Sequence, residues 1–225
     1  MASSLDDSSV VWRLRSVASC FYSIRYWQYF GLMAFGCYGS TLVSYSFKPF
    51  GESSKSHVGI DDGLLTWAAS VGAITNGSMR IVFGNLVDRF SFKFLMSVVL
   101  TIELAMCMLF FIAANSSGFF FFLILLNYSI LGGFFTIFPV SVTKIFGLKV
   151  GPQVYVQISM GSFFASLLNL FATKWLLPAT NYFVLFCTGA AVTCVALALL
   201  CFIKEELDVE NLRRRDAIVA EQEKS

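Results

Sequence analysis

The feature that most constrains this chain is a series of apolar runs, each long enough to cross a bilayer. A membrane-spanning helix needs about 20 mostly apolar residues. The runs are separated by short polar segments and cover 27–47, 64–83, 94–114, 119–140, 154–175 and 182–203. Hydrophobic residues make up 57% of the chain and charged residues 13%, against roughly a half and a quarter in a soluble domain. The sequence predicts an all-α integral membrane protein with six transmembrane helices in the lipid bilayer.

Basic residues are divided unequally between the two sides that six spans define. Lys and Arg near the ends of spans stay on the cytoplasmic side of a membrane. One side carries most of them, namely Arg13, Arg15, Arg25, Arg89, Lys93, Lys144, Lys149, Lys204, Arg213, Arg214, Arg215 and Lys224, whereas the other carries Lys48, Lys55 and Lys174. We therefore expect both termini in the cytoplasm. No basic stripe indicates nucleic-acid binding.

The chain divides into three predicted parts. Residues 1–26 form a cytoplasmic leader, 27–203 the six-helix transmembrane domain and 204–225 a charged cytoplasmic tail. Within the leader, apolar residues recur at helical spacing beside arginines, which indicates an interfacial helix. A solvated, disordered leader is the alternative interpretation.

Residues with metal-binding or catalytic chemistry are scattered along the sequence. Five of the six cysteines lie inside predicted spans without C-x-x-C spacing, and His57 is the one histidine. A zinc site or a proton relay needs several such groups close together. We expect no catalytic residues, no metal site and no cofactor, so the protein is predicted not to be an enzyme.

The stretch "MRIVFGNLVDRFSFK" at 79–93 concentrates charge between the second and third spans. The pattern G-x-L-x-D-R-x-G-R-K is matched at Gly84, Leu86, Asp88, Arg89 and Lys93. This resembles the loop between the second and third helices of a six-helix repeat in the major facilitator superfamily. The resemblance implies a loop that latches one conformation of a transporter.

The residue types of this loop suit such a role. Gly84 lets two helices approach closely, and Asp88 can stabilise the positive N-terminal end of a helix. Arg89 and Lys93 are expected to hold the loop at the cytoplasmic face. Two positions depart from the pattern, since Ser91 replaces Gly and Phe92 replaces Arg, which predicts a less permissive turn and one missing charge contact. The alternative is that the charges only follow the cytoplasmic bias of basic residues.

Arg80 lies one turn before Gly84 in an otherwise apolar run. Together with Ala73 and Asn76 it forms a small and polar stripe that is predicted to face inward. A charge inside a span costs about 2.5–3.5 kcal/mol and usually faces a cavity or a partner. Because a guanidinium can bind a carboxylate through two parallel hydrogen bonds, Arg80 and Asn76 are predicted to bind substrate. Snorkelling of Arg80 to the nearby surface is the alternative.

An arginine four residues before the motif glycine resembles the monocarboxylate transporters and the oxalate/formate antiporter family, in which it binds the substrate carboxylate. The stretches "YSFKPFG" (45–51), "LGGFFTIFPV" (131–140) and "KIFGLKVGPQVY" (144–155) resemble the ends of helices seven, ten and eleven of these twelve-helix transporters. The resemblance covers nearly the whole chain, as a carboxy-terminal half, and implies transport of a small organic anion by alternating access. Met160 stands where the oxalate antiporters place a second positive charge, so a monocarboxylate is expected.

Further polar residues inside the spans are candidates for the substrate path, namely Tyr38, Tyr45, Asn127, Tyr128 and Gln157. Ordinary hydrogen bonding between membrane helices explains each of them equally well. Glu103, midway along the third span, is a candidate for proton coupling because a buried acid is costly unless it is paired, protonated or hydrated. The alternative is a neutral Glu103 that bonds to a neighbouring helix.

Six helices supply half of a facilitator, in which substrate binds between two halves. The expected partner is therefore a second six-helix half or another copy of this chain. The alternative is a truncated or non-transporting membrane protein with an assembly or sensing role.

Overall fold

The structure, a computed structural model, describes residues 20–53, 60–148 and 150–203. Within these ranges all regular structure is helical, and the six helices are α1 Ile24–Ser53, α2 Asp62–Val87, α3 Phe92–Ala113, α4 Ser117–Phe146, α5 Gly151–Ala179 and α6 Tyr182–Phe202. The predicted fold class, an all-α membrane protein forming one half of a major facilitator fold, is confirmed. The predicted interfacial helix, the charged tail and His57 lie outside the described residues.

The helices differ in how closely they match an ideal membrane span. Four of them, α3 to α6, are both long and apolar enough to cross a membrane. The remaining two, α1 and α2, are 30 and 26 residues long but contain more polar residues. Some of these polar groups are satisfied by the protein, since Ser40 of α1 is fully buried and Asn76 of α2 is hydrogen-bonded to α4.

Polar residues just before the apolar runs determine where three helices begin. Each accepts a hydrogen bond from a backbone N–H of the first turn, and they are Asp61 before α2, Ser91 before α3 and Asn181 before α6. Such caps satisfy donors that the helix itself leaves free. Pro152 lies in the first turn of α5, where a missing N–H costs nothing.

The packing places α1 and α4 at the centre of the bundle. The first contacts α4, α5 and α6, while α4 also contacts α2 and α3. Fully buried aromatic side chains fill much of the core, among them Phe110, Phe120, Phe134, Phe138 and Phe186. As a result α2 packs mainly on α4 and α5 mainly on α1, and α3 packs on α4 and α6.

The regular geometry of α5 changes near its end. The helix is α-helical over Gly151–Phe171, π-helical over Ala172–Leu176 and α-helical again over Leu177–Ala179. A π-helical turn holds an additional residue, and such turns occur frequently at functional sites. The side chains after Phe171 therefore follow a different direction from the one that α-helical spacing predicts.

Candidate functional site

Arg80 lies on α2, seven residues before the helix ends at Val87. Its side chain is exposed, and its guanidinium carbon is 5.7 Å from the centre of the Phe135 ring on α4. A ring face attracts a cation at this separation. Among the described residues no acidic side chain pairs with Arg80, so the guanidinium is open to an anion that approaches it.

Tyr155, near the start of α5, is a site residue that the sequence interpretation missed. Its half-buried phenol lies close enough to Arg80 for a long-range electrostatic influence, and no hydrogen bond joins the two side chains. The structure therefore places Arg80 against Phe135 of α4, with Tyr155 of α5 in the neighbourhood but in no hydrogen bond with it. Depth in the membrane is the signal that could have identified Tyr155. It lies four residues after the start of α5, and Arg80 lies seven residues before the end of α2, which runs in the opposite direction, so both residues are near the same side of the bundle.

Asn76 lies one turn before Arg80 on α2. Its Nδ2 donates a hydrogen bond of 3.0 Å to the backbone carbonyl of Tyr128 on α4. The Tyr128 ring lies directly against Gly72, where any Cβ would collide with it. These two contacts hold α2 against α4 and thereby fix the position from which Arg80 extends.

Three other residues predicted to bind substrate lie between helices. Asn127 is buried, and its Nδ2 donates to Ser44 Oγ at 2.8 Å. Tyr38 is also buried, while Gln157 is half-buried with a side-chain oxygen that has no partner among the described residues. These positions are typical of interhelical hydrogen bonding, and contact of these side chains with substrate stays a prediction.

Tyr45 is separate from the Arg80 cluster. Its hydroxyl lies 3.5 Å from Ser166 Oγ on α5, and 58% of its surface is exposed. Ser166 is 11 residues beyond Tyr155, which corresponds to roughly 16 Å along the helix axis. Tyr45 thus lies far from Tyr155 along the helix axis, and its contact with substrate stays a prediction.

Glu103 lies in the core, where α3 meets α1 and α6. Its side chain is fully buried, and Oε1 accepts hydrogen bonds from both the backbone N–H and the hydroxyl of Ser40 on α1. The other oxygen, Oε2, has no partner among the described residues. A Cβ at Gly39 would lie 2.8 Å from Oε1 and 3.0 Å from Thr193 Oγ1, so the absence of a side chain there lets the helices approach.

The predicted loop motif connects the ends of several helices. Lys93 Nζ donates to the carbonyls of Cys201 and Ile203 at 3.1 and 3.3 Å. A cation at the C-terminal end of a helix satisfies free carbonyls and interacts favourably with the helix dipole. Lys93 thus joins the start of α3 to the end of α6. Lys144, near the end of α4, joins that helix to the end of α2, because its Nζ donates a 3.3 Å hydrogen bond to the Val87 carbonyl.

The other motif residues lie around the end of α2. Gly84 faces Thr136 of α4, Leu86 packs against the core, and Asp88 and Arg89 are exposed. Asp88 follows the last residue of α2, and its side chain makes no hydrogen bond within the described part of the chain. Its predicted interaction with a helix N-terminus therefore stays a prediction.

The two departures from the motif have structural explanations. Ser91 is the N-cap of α3 with φ −69° and ψ 151°, a conformation open to any residue, so the expected loss of turn freedom does not occur. Phe92 is buried, and its ring centre lies 5.1 Å from that of Tyr29 and 5.7 Å from that of Phe138. An aromatic contact thus replaces the missing charge contact.

Comparison with known proteins gives the family. The family described as Major Facilitator Superfamily matches residues 26–222, which include nearly all of α1 and the whole of α2 to α6. A search of curated proteins gave no match to this chain. The chain belongs to the major facilitator superfamily, whose members are membrane transporters.

Proposed function

We propose that this chain is half of a transporter that carries a small organic anion, a monocarboxylate, by alternating access. The observation that supports this proposal is the exposed guanidinium of Arg80, which stacks on Phe135 and has no acidic partner among the described residues. A carboxylate accepts two hydrogen bonds from such a group. We further propose that the hydroxyl of Tyr155, which lies in the neighbourhood of Arg80, supplies another donor to the anion.

The number of cations at this site favours a singly charged substrate. Lys93 and Lys144 are already bound to carbonyls at the helix ends. At position 160, where the resemblance would place a second positive charge, the chain has an exposed methionine. A dianion with one counter-charge would retain an unpaired charge in a medium of low dielectric constant, which is costly.

Exposed faces on the flanking helices support pairing with a second half. In the most apolar 18-residue stretch of each helix, 28% of the α5 residues are buried, against 56% of the α4 residues. The exposed α2 residues include Ala73, Gly77 and Arg80. A second six-helix half, or a second copy of this chain, would cover these faces and enclose the anion site. Exchange of one anion for another, as in the antiporters that the sequence resembles, is the mode of transport that we propose.

The basic residues support a cytoplasmic location of both termini. Arg25, Arg89, Lys93 and Lys144 lie at the ends of α1 to α4 that share one side of the bundle, and Lys48 and Lys174 lie at the opposite side. By the cytoplasmic bias of basic residues, the first side faces the cytosol.

Two roles are proposed for Glu103, and its contacts support one more than the other. Both hydrogen bonds from Ser40 hold α3 against α1, and we take this anchoring as its main role. Proton coupling requires in addition that the fully buried carboxyl exchange a proton with water as α1 moves. The two roles differ in what they predict for Glu103→Gln.

The experiment that tests the anion site is uptake of labelled formate and lactate into proteoliposomes loaded with the unlabelled anion. We expect exchange that depends on the protein and is lost in Arg80→Ala, with formate binding to the purified protein lost in the same variant. Equal binding by the parent and Arg80→Ala would overturn the proposed site.

A further inference from the structure

A groove of about 500 Å³ lies between the start of α3 and the end of α6. Its polar lining consists of Ser91, Lys93 and Ser97, and its apolar lining of Phe94, Leu197, Ala198, Leu200 and Cys201. Lys93 is the one charged residue of this lining, and no acidic side chain belongs to it. The groove thus places a single cation at the end of the bundle beside an apolar surface.

The groove lies on a side of the bundle that faces lipid. The proposed second half would cover α2 and α5, whereas α3 and α6 pack on each other and stay exposed to the membrane. Phe94 at the mouth of the groove is 52% exposed. One turn deeper in the membrane, Thr101 of α3 and Cys194 of α6 are exposed and small. An extended hydrocarbon chain can therefore continue along the seam between the two helices.

Two donors in the groove are not fully engaged. An ammonium group has three N–H donors, and Lys93 Nζ uses two of them on the carbonyls of Cys201 and Ile203, at 3.1 and 3.3 Å. Ser91 Oγ accepts from the Phe94 N–H at 3.3 Å. The third Lys93 N–H and the Ser91 hydroxyl proton make no hydrogen bond with a described residue. Both can donate to an anion, which the positive N-terminal end of α3 also favours.

We propose that this groove binds one anionic phospholipid of the cytoplasmic leaflet. The phosphate accepts hydrogen bonds from Lys93 Nζ and Ser91 Oγ. One acyl chain packs against Phe94, Leu197 and Ala198. A headgroup with net negative charge is favoured over a zwitterionic one, because the lining has no acidic side chain to receive an ammonium group. This end of the bundle is the one proposed to face the cytosol, where basic groups attract anionic lipids.

Native mass spectrometry of the full chain, purified in mild detergent, tests this proposal. The protein is titrated separately with phosphatidylglycerol and with phosphatidylcholine of identical acyl chains. We expect one phosphatidylglycerol molecule per chain to bind saturably, about fivefold more tightly than phosphatidylcholine. Excess inorganic phosphate should not displace it, because the acyl chain contributes to binding. Equal, non-saturable binding of both lipids would overturn the proposal, as would displacement by phosphate, which would indicate a site for a free anion.

Variants that leave Lys93 in place make the test specific to the groove. Ser91→Asp keeps an oxygen that can cap α3 and adds a negative charge, so it should remove the preference for phosphatidylglycerol. Ala198→Phe fills the groove and should abolish saturable binding, whereas Val195→Phe, at an exposed position outside the lining, should leave it intact. If folded Ser91→Asp keeps the preference, or folded Ala198→Phe keeps saturable binding, the proposal fails.

Two lysines provide a charge-matched pair. Lys93 and Lys144 both donate to carbonyls at helix ends, but of the two only Lys93 lines the groove. Lys93→Gln should lose the preference for phosphatidylglycerol, and Lys144→Gln should keep it. A parent-like preference in both variants would overturn the role of Lys93. Arg80→Ala should not change lipid binding, which separates this site from the anion site.

Discussion

The guanidinium of Arg80 and the ring of Phe135 face each other across the contact between α2 and α4, with 5.7 Å from the guanidinium carbon to the ring centre. The ring and the Asn76 hydrogen bond to α4 restrict where the guanidinium can lie. A pre-oriented guanidinium loses less entropy when it binds a planar carboxylate.

Replacement of Arg80 tests whether the guanidinium itself is needed. We expect Arg80→Ala and Arg80→Lys both to abolish formate binding, because lysine keeps the charge and loses the planar pair of donors. Isothermal titration of the purified protein measures this. Lys174→Ala, which removes an exposed cation at the other end of the bundle, is the control and should bind like the parent. Parent-like binding by both Arg80 variants would identify Arg80 as a snorkelling residue.

Tyr155 is expected to contribute one hydrogen bond to the bound anion. Tyr155→Phe keeps the ring and removes the hydroxyl, so formate should bind about fivefold more weakly, in line with a loss of about 1 kcal/mol. The thermal unfolding midpoint without anion should not change. A lower midpoint with unchanged affinity would mean that the hydroxyl has a structural role only.

Glu103→Gln separates anchoring from proton coupling. Gln keeps an oxygen that can accept both hydrogen bonds from Ser40, so we expect the variant to fold, to exchange anions and to respond to a pH gradient as the parent does. Glu103→Leu leaves the Ser40 groups without their buried acceptor and should be less stable by about 1–3 kcal/mol. Exchange without stimulation by a pH gradient in Glu103→Gln would show that Glu103 carries the coupling proton.

The close contact at Gly39 gives a matched pair of glycine variants. A Cβ at Gly39 would lie 2.8 Å from Glu103 Oε1, whereas Gly77 on α2 has no atom within 4 Å of its Cβ position. Gly39→Ala should destabilise the protein by about 1–3 kcal/mol through overpacking. Gly77→Ala should stabilise it by about 0.5–1 kcal/mol, because alanine favours a helix. Unfolding in detergent measures both, and equal effects would contradict the Gly39 contact.

Much of the fold could be predicted, because a span of about 20 apolar residues is a requirement of the bilayer itself. The helix ends were less predictable. The first helix runs to Ser53 and α4 to Phe146, beyond the apolar runs, since backbone hydrogen bonding continues where hydropathy declines.

The site was predictable only where one helix supplies it. Arg80 and Asn76 share a stripe that helical spacing reveals, whereas Tyr155 lies in their neighbourhood because α2 and α5 both pack on α4, which no periodicity encodes. Phe92 shows the same limit. The motif has an arginine at this position, so the sequence shows only that a charge is lost. The structure shows that the Phe92 ring contacts Tyr29 and Phe138 instead.

Restoring the motif residue at Phe92 should therefore harm the protein. Phe92→Arg places a charge between two aromatic rings in the core, and a loss of about 3 kcal/mol or more is expected. Phe90→Arg, in the same loop at a position 46% exposed, is the control and should change stability little. A stable Phe92→Arg protein would show that the loop can rearrange to accept the charge.

The last prediction concerns assembly. The exposed side of α2, around Ala73 and Gly77, carries Arg80, and a charged face toward lipid costs several kcal/mol. A second six-helix half or a second copy of this chain would remove that cost. In native membranes, Ala73→Cys should therefore form crosslinks to another chain.

The crosslinking needs a background in which the exposed Cys194 and Cys201 are replaced by serine. Leu109→Cys, at an exposed position on α3, is the matched control and should not crosslink, because α3 lies on the side of the bundle away from the proposed interface. A crosslink to a protein of the same mass would indicate self-pairing, and one to another chain a separate half. A monodisperse monomer in mild detergent, without crosslinks in the membrane, would contradict assembly through α2 and favour a protein that does not transport.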